Sequence, residues 1–155
     1  MYYEVQRAGI GWKVVDPGTG AQVVYVRRVP LFARIVVGEQ RFGFTLFAGD
    51  RGRRPEQAIL IRDGREWAMV RCPYFRGISP RPDLPSPTIA SQETSLSVKS
   101  PDGESWTDVR SAGRDQDVQR SVQGFVELHC DPHQLPALAW ASTALAVLFQ
   151  MQSMV

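Results

Sequence analysis

Cysteine and lysine are both scarce in this 155-residue chain, with two of each: Cys72 and Cys130, Lys13 and Lys99. Two cysteines so far apart cannot build the disulfide framework of a small secreted scaffold, and free thiols suit a reducing, cytoplasmic setting. The opening MYYEVQRAG has no basic stretch followed by an apolar run, so no export signal is expected there. Signatures of common chemistries are missing too. There is no glycine loop for phosphates, no zinc-finger spacing and no Ser-centred hydrolase elbow. On that ground no enzyme activity and no cofactor are expected.

Net charge is also small, at +2, but its two signs are unevenly spread. Residues 1–81 carry 14 basic against 7 acidic side chains, whereas residues 82–155 carry 4 against 9. Such asymmetry either presents a basic face to an anionic partner or lets the two halves pair across the fold. Arginine supplies 16 of the 18 basic groups. Its planar fork suits bidentate phosphate and carboxylate contacts, although a GC-rich genome gives the same bias.

What the chain does have is the material of one domain, 1–155: 43% hydrophobic and 22% charged residues, enough to bury a core without disulfide or metal. Its first half reads as short strands divided by turn signals. Tyr2–Arg7 is followed by a hairpin of Trp12–Val15 and Gln22–Val29 around Asp16-Pro17-Gly18-Thr19-Gly20. Ala33–Val37 and Arg41–Phe47 follow, with Phe42, Phe44 and Leu46 alternating onto one face. Asp63-Gly64 between the apolar runs 57–62 and 65–71 predicts a type I′ hairpin, which needs positive φ at both central residues. Prolines 80, 82, 85 and 87 make 79–88 an exposed loop of polyproline II character, in which Pro82 to Pro85 has PxxP spacing. Strands resume at Ser95–Lys99 and Ser105–Val109, about the turn Pro101-Asp102-Gly103. After a loop over Ser111–Asp117, Ser121–Cys130 is the last strand, burying Val122, Phe125 or Val126, and Leu128.

From Leu135 to Phe149 the sequence is LPALAWASTALAVLF, rich in the best helix formers and with no polar face. A helix apolar all round is either buried on every side or placed in a membrane. About 15 apolar residues fall short of the ~20 that span a bilayer, and no Lys or Arg flanks them. The buried helix is therefore the favoured reading and a tail anchor the alternative. Many strands plus one such helix fit a mainly β fold, a closed or nearly closed antiparallel β-barrel around a buried apolar helix at about 135–149.

In that combination the chain resembles the tubby C-terminal-like superfamily, which includes the plant LURP-one-related proteins and the phospholipid scramblases. The hairpin IRDGREWAMVR, the strand GFVELHC running into Asp131-Pro132, and the apolar segment LPALAWASTALAVLFQMQSM carry the likeness. The insertion SPRPDLPSP and the lack of an acidic residue near the end of the helix depart from it. The resemblance implies a non-enzymatic binding or scaffold domain, cytoplasmic or peripheral to a membrane, that engages anionic lipid headgroups or a phosphate-bearing ligand, with a protein partner as a further option. No headgroup-binding residue of the family matches a motif here.

Three groups of residues could carry function. Arg51, Arg53 and Arg54, with Arg27 and Arg28 and then Arg62 or Arg65, could form a basic face that clasps phosphates. Nucleic acid is disfavoured because stacking needs exposed aromatics, and Phe42, Phe44 and Phe47 read as core. The connector His129-Cys130-Asp131-Pro132-His133 gathers both histidines and one cysteine. His129, Cys130 and His133 are thus candidate zinc ligands, and a metal-dependent enzyme centred there is the competing function. Cys72, before Pro73, lacks the surroundings of an activated nucleophile.

Overall fold

The structure is a computed structural model that describes residues 2–27, 33–48, 55–71, 78–80, 88–91, 95–100, 102–112 and 122–152. Twelve strands run β1 (Tyr2–Ala8), β2 (Gly11–Val15), β3 (Gln22–Arg27), β4 (Arg34–Val37), β5 (Gln40–Ala48), β6 (Pro55–Arg62), β7 (Arg65–Arg71), β8 (Ile78–Pro80), β9 (Thr88–Ser91), β10 (Ser95–Lys99), β11 (Ser105–Ser111) and β12 (Val122–Leu128). A 3-10 turn at Pro132–Gln134 leads into one helix, α1 (Ala137–Gln152). All twelve strands belong to one antiparallel sheet, ordered β8-β7-β6-β5-β4-β3-β2-β1-β12-β11-β10-β9. Apart from the β1–β12 seam, where Tyr2 lies opposite Glu127, every neighbour in the sheet is also a neighbour in sequence.

Alternation decides which side chains enter the core. Val24 and Val26 of β3, Phe42 and Phe44 of β5, Leu96 and Val98 of β10, and Val126 and Leu128 of β12 point inward and are buried. The choice left open in the last strand thus falls on Val126, while Phe125 lies on the outer face with its ring near the Arg110 guanidinium. The inner face packs on α1, whose residues from Leu138 to Phe149 are all buried. The helix touches β2, β3 and β4 from one wing of the sheet and β10 and β11 from the other, so the sheet curls around it. Tyr3 meets Trp140 edge to face at 5.7 Å. A hydrogen bond also crosses this buried interface, between Thr107 and Thr143 hydroxyls 2.9 Å apart. Thr143 donates its own proton to the Ala139 carbonyl, which leaves Thr107 as the donor.

The mainly β architecture with one C-terminal helix is as expected. The helix boundaries differ: α1 begins at Ala137, not Leu135. The residue before a proline is pushed to extended backbone, and Leu135 sits at φ −70, ψ 118. Pro136 stays outside α1, its carbonyl accepting from Ala139 and Trp140. The Asp63-Gly64 hairpin is borne out, with φ of 53 and 74 at the two turn residues. Ser79, Pro80 and Thr88, expected as loop, belong to β8 and β9 at the edges of the sheet, where a missing N–H is tolerated. Residues 81–87, with the PxxP spacing, lie outside the described residues. Among those described, no ladder joins β8 to β9, though β7 and β9 approach each other.

Because neighbouring strands are antiparallel, successive hairpins turn at alternate ends of the sheet. At one end lie the turn after Arg7, Arg27 at the close of β3, Arg34 at the start of β4, and the link from Ala48 to Pro55. At the other end lie Asp16, Glu39, Asp63, Asp102, Glu104 and Asp131. Arg41, Arg62, Arg65 and Lys99 lie toward this second end as well, so the two ends differ in charge without either being of one sign.

Candidate functional site

At the basic end, Arg27 and Arg34 face each other directly across β3 and β4, both half-buried on the outer face. The β5–β6 hairpin runs on past that row, from Phe44 to Ala48 against Pro55 to Leu60. The link of residues 49–54 holds Arg51, Arg53 and Arg54. These three and Arg28 lie outside the described residues, as does Cys72. Arg62 and Arg65 do not extend this face. They flank the Asp63-Gly64 turn at the opposite end, because a hairpin reverses direction, and Arg62 lies over the rings of Trp67 and Phe42 at 5.4 and 5.8 Å.

The connector after β12 does not gather its three candidate ligands. His129 extends the ladder, its backbone N–H donating to the Trp106 carbonyl at 2.8 Å, so its ring leaves the same face as Glu127 two residues earlier. The chain then turns. Asp131 accepts from the His133 backbone N–H at 3.0 Å, capping the 3-10 turn and holding Pro132–Gln134 away from the sheet face. Burial, then the nearby Asp131 and Glu104 carboxylates, push the Cys130 thiol above its ordinary value, the reverse of what a thiolate ligand or nucleophile requires.

His129 instead meets two carboxylates that the sequence analysis had not singled out. Its Nε2 lies 2.7 Å from Asp108 Oδ2. Asp108 of β11 stands directly opposite Glu127 of β12, and the three side chains offer ligand atoms all within 4.8 Å of one another. Ser97 of β10, across from Asp108 on its other side and only 2% exposed, donates its hydroxyl to Asp108 Oδ1. Tyr2 of β1 donates to Glu127 Oε1 at 3.2 Å. One row across four strands, Ser97, Asp108, Glu127 and Tyr2, therefore forms a hydrogen-bonded polar strip with His129 beside it.

Serine, aspartate and histidine meet here, but in an order unsuited to acyl transfer. In a catalytic triad the imidazole lies between hydroxyl and carboxylate, so that it can take the hydroxyl proton. Here the carboxylate is in the middle, and the Ser97 hydroxyl donates to it and not to the imidazole. What the group offers is two carboxylates and one imidazole on a half-exposed sheet face, the donor chemistry of a divalent cation. Their mutual position could have been read from the sequence only with the register in hand, since Asp108 and Glu127 are paired by β11–β12 alignment and not by spacing. A comparison of the chain with protein-family models, with curated proteins and with solved structures returns no match.

Proposed function

We propose that the chain is a non-enzymatic binding domain, tubby-like in form, in which the sheet closes or nearly closes as a barrel around α1. It meets an anionic ligand, either lipid headgroups at a cytoplasmic membrane surface or a phosphate-bearing small molecule, through its basic end. The observation that carries this reading is topological. Arg27 and Arg34 belong to the end of the sheet at which β5 stops, at Ala48, and β6 starts, at Pro55, and Arg51, Arg53 and Arg54 fall between those two residues in sequence. The interior supports it as well, because α1 occupies it and a ligand has to be met on the outside. No helix is long and apolar enough to cross a membrane among the described residues.

The test is sedimentation with phosphatidylcholine vesicles that contain phosphatidylserine, at low ionic strength, with inorganic phosphate as competitor. Each arginine near an anionic surface is worth about 1 kcal/mol, so replacing Arg51, Arg53 and Arg54 with Ser lowers partitioning on the order of 100-fold. Arg27→Ser lowers it less. Competition by millimolar phosphate assigns the site to a soluble phosphate ligand, and its absence to the membrane. A parent protein that ignores both vesicles and phosphate at low salt, where electrostatic attraction is least screened, overturns the reading.

A further inference from the structure

We propose that Asp108, Glu127 and His129 form a binding site for one divalent transition-metal ion of the zinc class, at the end of the sheet opposite Arg27. The site is built by register. Glu127 and His129 stand two residues apart along one strand line, which puts both on the outer face, and Asp108 lies directly across from Glu127 on the next strand. Two donor atoms sharing one tetrahedral Zn²⁺ at metal–ligand distances near 2.1 Å are about 3.4 Å apart. His129 Nε2 and Asp108 Oδ2 are already 2.7 Å apart, and the third donor lies within 4.8 Å of both. An ion between them takes the place of the hydrogen bond between His129 Nε2 and Asp108 Oδ2, with Nε2 giving its lone pair to the metal.

Two further observations favour a cation there over a chance gathering of charges. Like charges directly opposite on neighbouring strands destabilise a sheet, and the alignment of Asp108 with Glu127 imposes that cost unless positive charge compensates both. His129, even protonated, supplies one charge against two. One neighbouring cation on this face, Arg110, has its guanidinium over the rings of Tyr2 and Phe125, at 5.3 and 5.8 Å. Each carboxylate also has one oxygen engaged from outside the triplet, Asp108 Oδ1 by the deeply buried Ser97 and Glu127 Oε1 by Tyr2. Of their other oxygens, Asp108 Oδ2 meets His129 Nε2, a contact that an ion shared by the two would replace, and such outer hydrogen bonds orient metal-binding carboxylates.

The donor set selects the ion. An imidazole beside two carboxylates favours zinc and its first-row neighbours over magnesium or calcium, which take oxygen ligands. Three protein donors leave at least one coordination position, which opens outward because the ligands sit on the half-exposed sheet face. Water or an anionic oxygen of a ligand would fill it.

The experiment is isothermal titration of chelator-treated protein with Zn²⁺, and separately with Mg²⁺, alongside thermal melts. The expected result is one Zn²⁺ per chain, a melting temperature raised by Zn²⁺, and no comparable response to Mg²⁺. Glu127→Gln and His129→Asn each weaken Zn²⁺ at least 10-fold and abolish the rise in melting temperature. Cys130→Ser and His133→Ala leave both unchanged. Because Glu127 and His129 lie on the outer face, an unchanged circular dichroism spectrum shows that their variants fold, and Asp108→Asn is a third variant if either fails. No stoichiometric Zn²⁺, or Zn²⁺ lost in Cys130→Ser or His133→Ala but retained in Glu127→Gln, overturns the site.

Discussion

Single residues fix local geometry at a few points, and Gly64 is the plainest. Asp63 and Gly64 both hold positive φ, and the turn they form sets the register of β6 on β7. A β-branched side chain resists that conformation, so Gly64→Val should cost about 1 kcal/mol or more, read as a lowered melting temperature. A melt that matches the parent would show that the turn does not depend on it. Gly124 matters for space instead. A Cβ there would strike the Arg110 carbonyl and come within 2.9 Å of the Met151 methyl, so the glycine makes room for the β11 backbone and for the tip of one side chain of α1. The first requirement is legible in the sequence, because Asp-Gly between apolar runs is a local signal. The second is not, because it depends on which helix residue arrives opposite the strand.

Among the elements, the hairpins and α1 were legible from their own residues, while the candidate site was not. Alternation and turn chemistry act over a few residues, so β2–β3 and β6–β7 follow from sequence as hairpins, and β4 and β5 as strands. Asp108, Glu127 and His129 come together only through the alignment of β11 with β12, which residues 105–128 do not announce. The basic run Arg51-Gly52-Arg53-Arg54 drew notice for its density and the paired carboxylates drew none for their spacing. For α1 the consequence is sharp. Leu145 is fully buried and the helix is surrounded, so Leu145→Asp strands a carboxylate with no partner at a cost of several kcal/mol. The variant should be insoluble or unfolded. A soluble, cooperatively melting Leu145→Asp protein would mean that α1 is not the core.

At the scale of the whole molecule, the proton balance predicts weakness on the alkaline side. Burial, followed by the charges of Asp16 and Asp131, raises the Tyr3 hydroxyl pKa, and burial with Asp131 and Glu104 raises the Cys130 thiol. A group whose folded pKa lies above its unfolded one holds its proton more tightly in the native state. That stability is fully present below the ordinary thiol range and is lost as pH rises through the folded pKa values, Cys130 first and Tyr3 later. Melting temperature should therefore fall as pH climbs past the thiol range, and Cys130→Ser should remove the first part of the fall. A melting temperature of the parent that stays flat through that range would contradict it. The seam between β1 and β12 has a different kind of consequence, for the order of events in time. Tyr2 cannot find Glu127 until synthesis has passed residue 128, and the inner faces of the strands cannot find all of α1 until it has passed residue 152. Contacts so distant along the chain slow folding, and through that interval β2 to β7 present unmatched apolar faces. The nascent chain is thus most prone to aggregate just before its helix emerges, and a chaperone that holds apolar strands would be needed most at that stage.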